Sequence, residues 1–215
     1  NVETLKPWTN AQLAVLDVKN LHHPGRGDPA AVFAYEDSLM ATGEYAVSQM
    51  DRFRVTGDPS ALGAASQAVF AILRVLYEGE LHEVGYLPKP HGGMRRAAYS
   101  HEISPDQHIK SMVALRAFEE FAPPSLRRAI EKYLVAIINY YIVRDFKHLR
   151  RESMVVTVEN RPHVLSVILP GLVLAGRITG DKKFLEMLKR FDPVLDEMAE
   201  GKLLQFDSNI CTKIN

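Results

Sequence analysis

Three pairs of helix-spaced apolar segments recur along this chain, and each pair is interrupted by a break of only a few residues. The breaks fall at Thr56-Gly57-Asp58-Pro59, Ala122-Pro123-Pro124 and Thr179-Gly180-Asp181, a period of roughly 60 residues. Glycine ends a helix well, and Asp58 followed by Pro59 offers the next one an N-cap and a first-turn proline. Segments about 30–55 and 60–78 flank the first break, and the second sets Leu62, Ala65, Val69, Ile72, Leu73 and Leu76 on one helical face. Segment 105–121 precedes the next break, and Ile130, Tyr133, Leu134, Ile137, Ile138 and Tyr141 form a stripe after it. Segment 162–178 and a sixth helix carrying Phe184, Leu185, Leu188, Phe191, Leu195 and Met198 complete the series. Only 154–158 reads as a β-like run.

Connections within pairs are therefore short, as antiparallel neighbours require, while those between pairs, 79–104 and 145–161, are long. Long connections that alternate with short ones leave such an array at one common end, where a function would sit. From 162 to 176 no charged residue occurs, so this helix is predicted to be covered on nearly all sides. These features predict an all-α fold, a single α/α-hairpin domain over 1–215 with the layout of an (α/α) toroid. A plain helical bundle and an open solenoid share the same periodicity.

The totals exclude several classes. Lys+Arg and Asp+Glu both number 26, so no global field recruits nucleic acid or an anionic membrane. The basic run 147–151 is short and reads as a solvated face. Cys211 is the only cysteine, so neither an intrachain disulfide nor a thiolate cluster is available. Counting unbroken apolar residues, no stretch reaches the roughly 20 needed to span a bilayer. Histidine spacing does not match a zinc helix, and no glycine-rich phosphate loop is present, so neither metal nor cofactor is expected. A start at Asn1 fits a processed secreted chain, a trimmed chain or a fragment, and a periplasmic or secreted location is expected slightly ahead of a cytoplasmic one.

If the first helix of each pair is the inner one, its opening turn faces the long connections. That brings Tyr35, Glu36 and Asp37, then Asp106, Gln107 and His108, then Arg161 and His163, towards one basin. Carboxylates from different helices facing one basin are the minimum apparatus for acid–base chemistry on a glycosidic bond. The connection before the third helix adds Lys89, His91, Arg95, Arg96, Tyr99, His101 and Glu102 around Gly92-Gly93, groups suited to sugar hydroxyls or a carboxylate. Ser104, Pro105 and Gln107 form a capping-box pattern. An acid in a first turn is favoured by the helix dipole alone, so capping and catalysis explain Asp106 equally well. For Glu36 and Asp37 the dipole is the stronger explanation. Arg95 and Arg96 can be solvated, and an ordinary hydrogen-bonded histidine suits His163.

The corner Arg54-Val55-Thr56-Gly57-Asp58 resembles the hairpin corners of the six-hairpin glycosidase superfamily. Residues 106–115, DQHIKSMVAL, resemble the inner-helix start that carries an acid/base aspartate in unsaturated glucuronyl and rhamnogalacturonyl hydrolases. The resemblance implies that Asp106 is a proton donor in hydration of a C4–C5 double bond, assisted by an inner-helix histidine. It implies a carbohydrate substrate, with Asp37 or Glu36 as second carboxylate and His91, Arg95, Tyr99, His101, Glu102, Gln107 and His163 as substrate-binding groups. Trp8 is the sole tryptophan, so the family's Trp-rich sugar platforms are lacking. Three hairpins also make half a toroid, which implies a partial barrel, an incomplete chain or assembly with a further chain. The alternatives are a non-catalytic helical-repeat module that binds a glycan or protein, and another toroid enzyme such as an epimerase.

Overall fold

In the computed structural model, residues 38–89, 103–150, 154–157 and 162–201 are described. The break after the first helix shows how a few polar atoms turn the chain. Helix α1 (Ser38–Thr56) ends at Gly57, which takes a φ of 68° and donates its N–H to Phe53 O at 2.8 Å. Thr56 Oγ1 donates to Arg52 O at 2.7 Å and accepts from Asp58 N at 3.2 Å. Asp58 then caps α2 (Pro59–Gly79), its Oδ1 accepting from Ser60 N at 2.9 Å.

The third break repeats this construction. Gly180 takes a φ of 71° and donates to Gly176 O at 2.9 Å. Thr179 Oγ1 donates to Ala175 O at 2.7 Å and accepts from Asp181 N at 3.1 Å, while Asp181 Oδ1 accepts from Lys183 N at 2.9 Å. The recurring Thr-Gly-Asp corner is thus one device used twice: glycine supplies the left-handed residue and two side chains satisfy the helix-end donors.

Helix α3 (Pro105–Phe118) stops three residues short of the expected end, because Phe121 N and Ala122 N bond back to Phe118 O and Glu119 O in tight turns. Helix α4 (Pro124–Ile142) follows with proline in its first turn. The expected long loop after it contains an antiparallel hairpin, β1 (Lys147–Arg150) and β2 (Met154–Thr157), registered from Lys147↔Thr157 to Arg150↔Met154. Much of the basic run is therefore a strand. Helix α5 (Pro162–Thr179) buries Leu165, Ile168, Leu172 and Ala175 but exposes Pro170 and Arg177, so a narrow strip escapes the predicted covering.

The sixth helix is broken into α6 (Lys183–Leu188), a 3-10 turn (Lys189–Phe191) and α7 (Asp192–Ala199). Pro193 has no N–H for the carbonyl four residues back, and the backbone tightens there instead of continuing.

The protein is mostly helical, as expected. Helix α1 packs on α2 and α3, α3 also touches α2, α4 and α5, α4 packs on α5, and α5 on α6. Helices α1 and α3 run parallel. Lys110 Nζ pairs with Glu44 at 2.8 Å, and ten residues further on Arg54 Nε donates to Glu120 Oε1 at 3.0 Å, with Phe53 edge-on to Phe121. At the first of these contacts the two backbones nearly touch, since a Cβ on Gly43 would lie 2.6 Å from Lys110 O.

Helix α2 is 21 residues long and holds an 18-residue window with a mean hydropathy of 1.4, enough by length and composition to cross a bilayer. The count of unbroken apolar residues missed it because glycine, serine and glutamine interrupt the run. Half of that window is buried within the protein's own core.

Gly43→Ala is expected to lower the unfolding free energy by about 1–3 kcal/mol, because the opposing atom is backbone that cannot rotate away. Urea denaturation checks this, and an unchanged midpoint would contradict the α1–α3 contact.

Candidate functional site

The opening turn of α3 collects the described chemistry. Ser104 occupies the N-cap position with extended backbone, but its side chain makes no capping bond; its carbonyl accepts from Gln107 N at 3.0 Å and His108 N at 3.1 Å. The expected capping box is therefore not formed, and the side chain of Gln107 is fully buried. Asp106 remains half-buried in the acidic-friendly first turn.

His108 is the node of this region. Its Nε2 lies 3.3 Å from Leu87 O, and its Nδ1 lies 2.6 Å from the Tyr141 hydroxyl. A carbonyl only accepts, so Nε2 carries the hydrogen and Nδ1 accepts from the tyrosine. Both rings are buried. Burial holds the Tyr141 phenol well above its usual pKa, with Tyr140 and the carboxylate of Asp106 adding to the effect.

Around this node lies an aromatic and charged cluster that sequence reasoning did not single out. Tyr140 packs edge-on to His108 and Tyr141 and meets Tyr86, which in turn stacks with His82. The Arg144 guanidinium sits 3.9 Å above the Tyr140 ring and pairs through both terminal nitrogens with the Glu83 carboxylate. The Glu83 bond raises the Arg144 pKa, and burial raises that of Tyr140. Lower on α4, burial and then a hydrogen bond to Glu80 push the Tyr133 phenol up to about 12. The adjacent pair Tyr140-Tyr141 ending an apolar helix was the available signal, but it reads equally as core stripe.

The same cluster shows that the long connections share an end. Leu87 follows α2, His108 opens α3 and Tyr141 closes α4, and all three meet. A bridge between Pro88 and Ile103 joins the two stems of the first long connection, and Gly85, at a φ of 92°, lies flat on the Ala136 carbonyl. Beyond α4, Asp145 pairs with Arg190 and Phe146 packs edge-on to Phe191. Arg190 and then Lys147 lower the Asp145 pKa to about 2.

Of the residues expected to form a basin, Asp106, Gln107 and His108 are described together here. His163 falls in the first turn of α5, where only the backbone is described. Tyr35, Glu36, Asp37, His91, Arg95, Arg96, Tyr99, His101, Glu102 and Arg161 lie outside the described residues. Lys89 is buried at the stem of the connection. Among the described residues no group of three His, Cys, Asp or Glu could hold a metal ion. No family model matches the chain, and no curated protein or solved structure matches it either.

At the opposite, short-turn end Glu119 is also buried. Arg116 pairs with one carboxylate oxygen, while Oε1 has no hydrogen-bond partner among the described residues. Burial raises its pKa above the usual carboxylate range despite Arg116. The folded state therefore binds this proton more tightly than the unfolded chain. The resulting stability is present at acid pH and is lost as pH rises from the ordinary value through the raised one.

Two variants test these two ends. Tyr141→Phe leaves the buried His108 Nδ1 without its donor and is expected to cost about 1–3 kcal/mol in urea unfolding. Glu119→Gln is expected to raise stability at pH 7 by on the order of 1 kcal/mol and to flatten its decline between mildly acidic and neutral pH, measured as urea midpoint against pH. A parallel pH profile in wild type and variant would refute the assignment to Glu119.

Proposed function

We propose that these hairpins form an arc of an (α/α) toroid in a carbohydrate-active enzyme, with Asp106 as acid/base on an acidic sugar or oligosaccharide. One observation carries the reading. Asp106 is half-buried in the opening turn of α3, at the end where the long connections gather, and the buried His108–Tyr141 pair beside it holds that turn. Packing agrees with concentric rows, since α1, α3 and α5 alternate with α2, α4 and α6, and α3 touches both of the other first-row helices.

The chemistry needs little from the protein. In hydration of a 4,5-unsaturated uronide, a protonated Asp106 would deliver its proton to C4 while water oxygen bonds to C5. The proton released by that water returns to the carboxylate. One carboxylate thus suffices for both steps, whereas direct cleavage of a saturated glycoside needs the second, for which Glu36 and Asp37 stand as candidates. With both ring nitrogens engaged internally, His108 supports the turn and does not meet substrate in this arrangement.

A second reading is a non-catalytic helical-repeat module that binds a glycan or protein through its long connections. The burial of Gln107 and His108 favours it, because these expected contacts face inward.

Turnover of an unsaturated uronide disaccharide, followed by loss of its double-bond absorbance, separates the two. Asp106→Asn is expected to reduce the rate by ~100-fold or more with an unchanged thermal melt. Full activity in the variant would remove Asp106 from the role. Saturable glycan binding by an inactive wild-type protein would support the module.

A further inference from the structure

Glu119 is a buried carboxyl that the candidate site does not use, at the far end of α3 from Asp106. Its side chain is 9% exposed, and its two oxygens are treated differently. Oε2 accepts from Arg116, one turn back, whereas Oε1 is sealed from water with no hydrogen-bond partner among the described residues. An ionised carboxylate in that place is costly, because both oxygens then need donors or water. A carboxyl that keeps its proton escapes the cost, and burial favours that form.

The cations that could stabilise the ionised form lie at the surface. The Arg116 side chain is 58% exposed, and Arg127 of α4 is exposed as well. Arg127 places Nε on the Glu119 carbonyl at 3.1 Å, not on a carboxylate. Glu131, also on α4, adds repulsion. Helix α1 brings Asp51 and Arg54, which pair with each other, Arg54 also holding Glu120. Helix α2 has no charged residue from Pro59 to Leu73, and Asp58 at its cap pairs with Arg52. The last ten residues of α5 bring only Arg177, which is exposed.

The backbone permits a move between the two places. Glu119 follows the last residue of α3, so turning it outward breaks no helical turn. Its N–H reaches Arg116 O at 3.4 Å and its carbonyl accepts from Ala122 N at 3.3 Å, both long bonds.

We propose that Glu119 is a proton-operated latch on the α3–α4 corner. With the proton on, the side chain lies inside and residues 119–123 are closed. When the proton passes to water, the carboxylate swings out between Arg116 and Arg127. Arg127 then exchanges the Glu119 carbonyl for the carboxylate, and the corner opens. Opening reaches α1 too, because Phe53 and Arg54 rest on Phe121. Burial holds the proton on, so the latch is closed at acid pH. It releases as pH rises from the ordinary carboxylate range through the raised value. The latch is independent of the carbohydrate reading.

Amide hydrogen exchange of the whole chain from about pH 5 to 7.5, corrected for the intrinsic rate, tests it. The Phe121 and Ala122 amides are expected to lose protection by ~5-fold or more as pH rises. Adding about 1 M urea should leave those two rates unchanged, since a local opening exposes little surface, while core amides such as Ile137 speed up. Glu119→Gln should abolish the pH dependence at the corner. Corner protection that is constant with pH overturns the latch, as does a corner rate that climbs with urea as the core does. A folded Glu119→Gln that keeps the pH dependence overturns it as well. Should that variant not fold, the wild-type pH and urea profiles decide alone.

Discussion

Three segments far apart in sequence meet at the ring of His108, and the architecture of the long-connection end depends on that meeting. Leu87 O takes the hydrogen from Nε2, Tyr141 gives one to Nδ1, and the ring is sealed from water. A buried imidazole with either nitrogen unmatched would be costly, so the two bonds specify how α2's exit, α3's entry and α4's end are placed. The aromatic layer around it, from His82 through Tyr86 and Tyr140 to Arg144, spreads the same constraint to the surface, where Glu83 and Arg144 close it. Asp106 owes its place to this arrangement, since its helix cannot turn without breaking the His108 contacts.

The opposite end works by different means. Two of its three corners are the same Thr-Gly-Asp device, in which local side-chain bonds suffice and no distant residue is required. The middle corner lacks it and relies on docking: Phe121 packs under Phe53, Arg54 lies over the Phe121 ring, and Glu120 pairs with Arg54. Glu119, buried in that corner with one oxygen unmatched, is the group that this docking leaves least satisfied. The short-turn end thus combines local corner bonds with the docking of its middle corner onto the first, while the long-connection end is held by tertiary contact alone.

Much of the helix layout could be read from the residues because its causes are local. Asp58-Pro59 and Thr179-Gly180-Asp181 start and stop helices by bonds spanning two to four positions. The stripe of Ile130, Leu134, Ile137 and Tyr141 encodes the buried face of α4 at helical spacing. Where the reading strayed, a competing local effect intervened. Pro193 broke the sixth helix, tight turns after Phe118 shortened α3, and Lys147–Arg150 became the strand partner of Met154–Thr157, of which only the second read as β-like. The site was less readable. Gln107 reads from the sequence as a capping or sugar-binding group and is buried in the structure, because which side of α3 faces inward depends on partners that the segment itself does not name.

By itself the sequence determined the helical class, the positions of the three corners and the inequality of the connections, all set by propensity, capping and periodicity over a few residues. Only the tertiary structure decided that α1 and α3 run parallel with Gly43 against Lys110, and that Leu87, His108 and Tyr141 share hydrogen bonds. It alone also left Phe70, Tyr77 and Leu81 outside. The physical reason is that an amphipathic helix specifies how much of itself to bury but not against what. The choice of partner emerges when distant polar groups must be satisfied together in one dry interior.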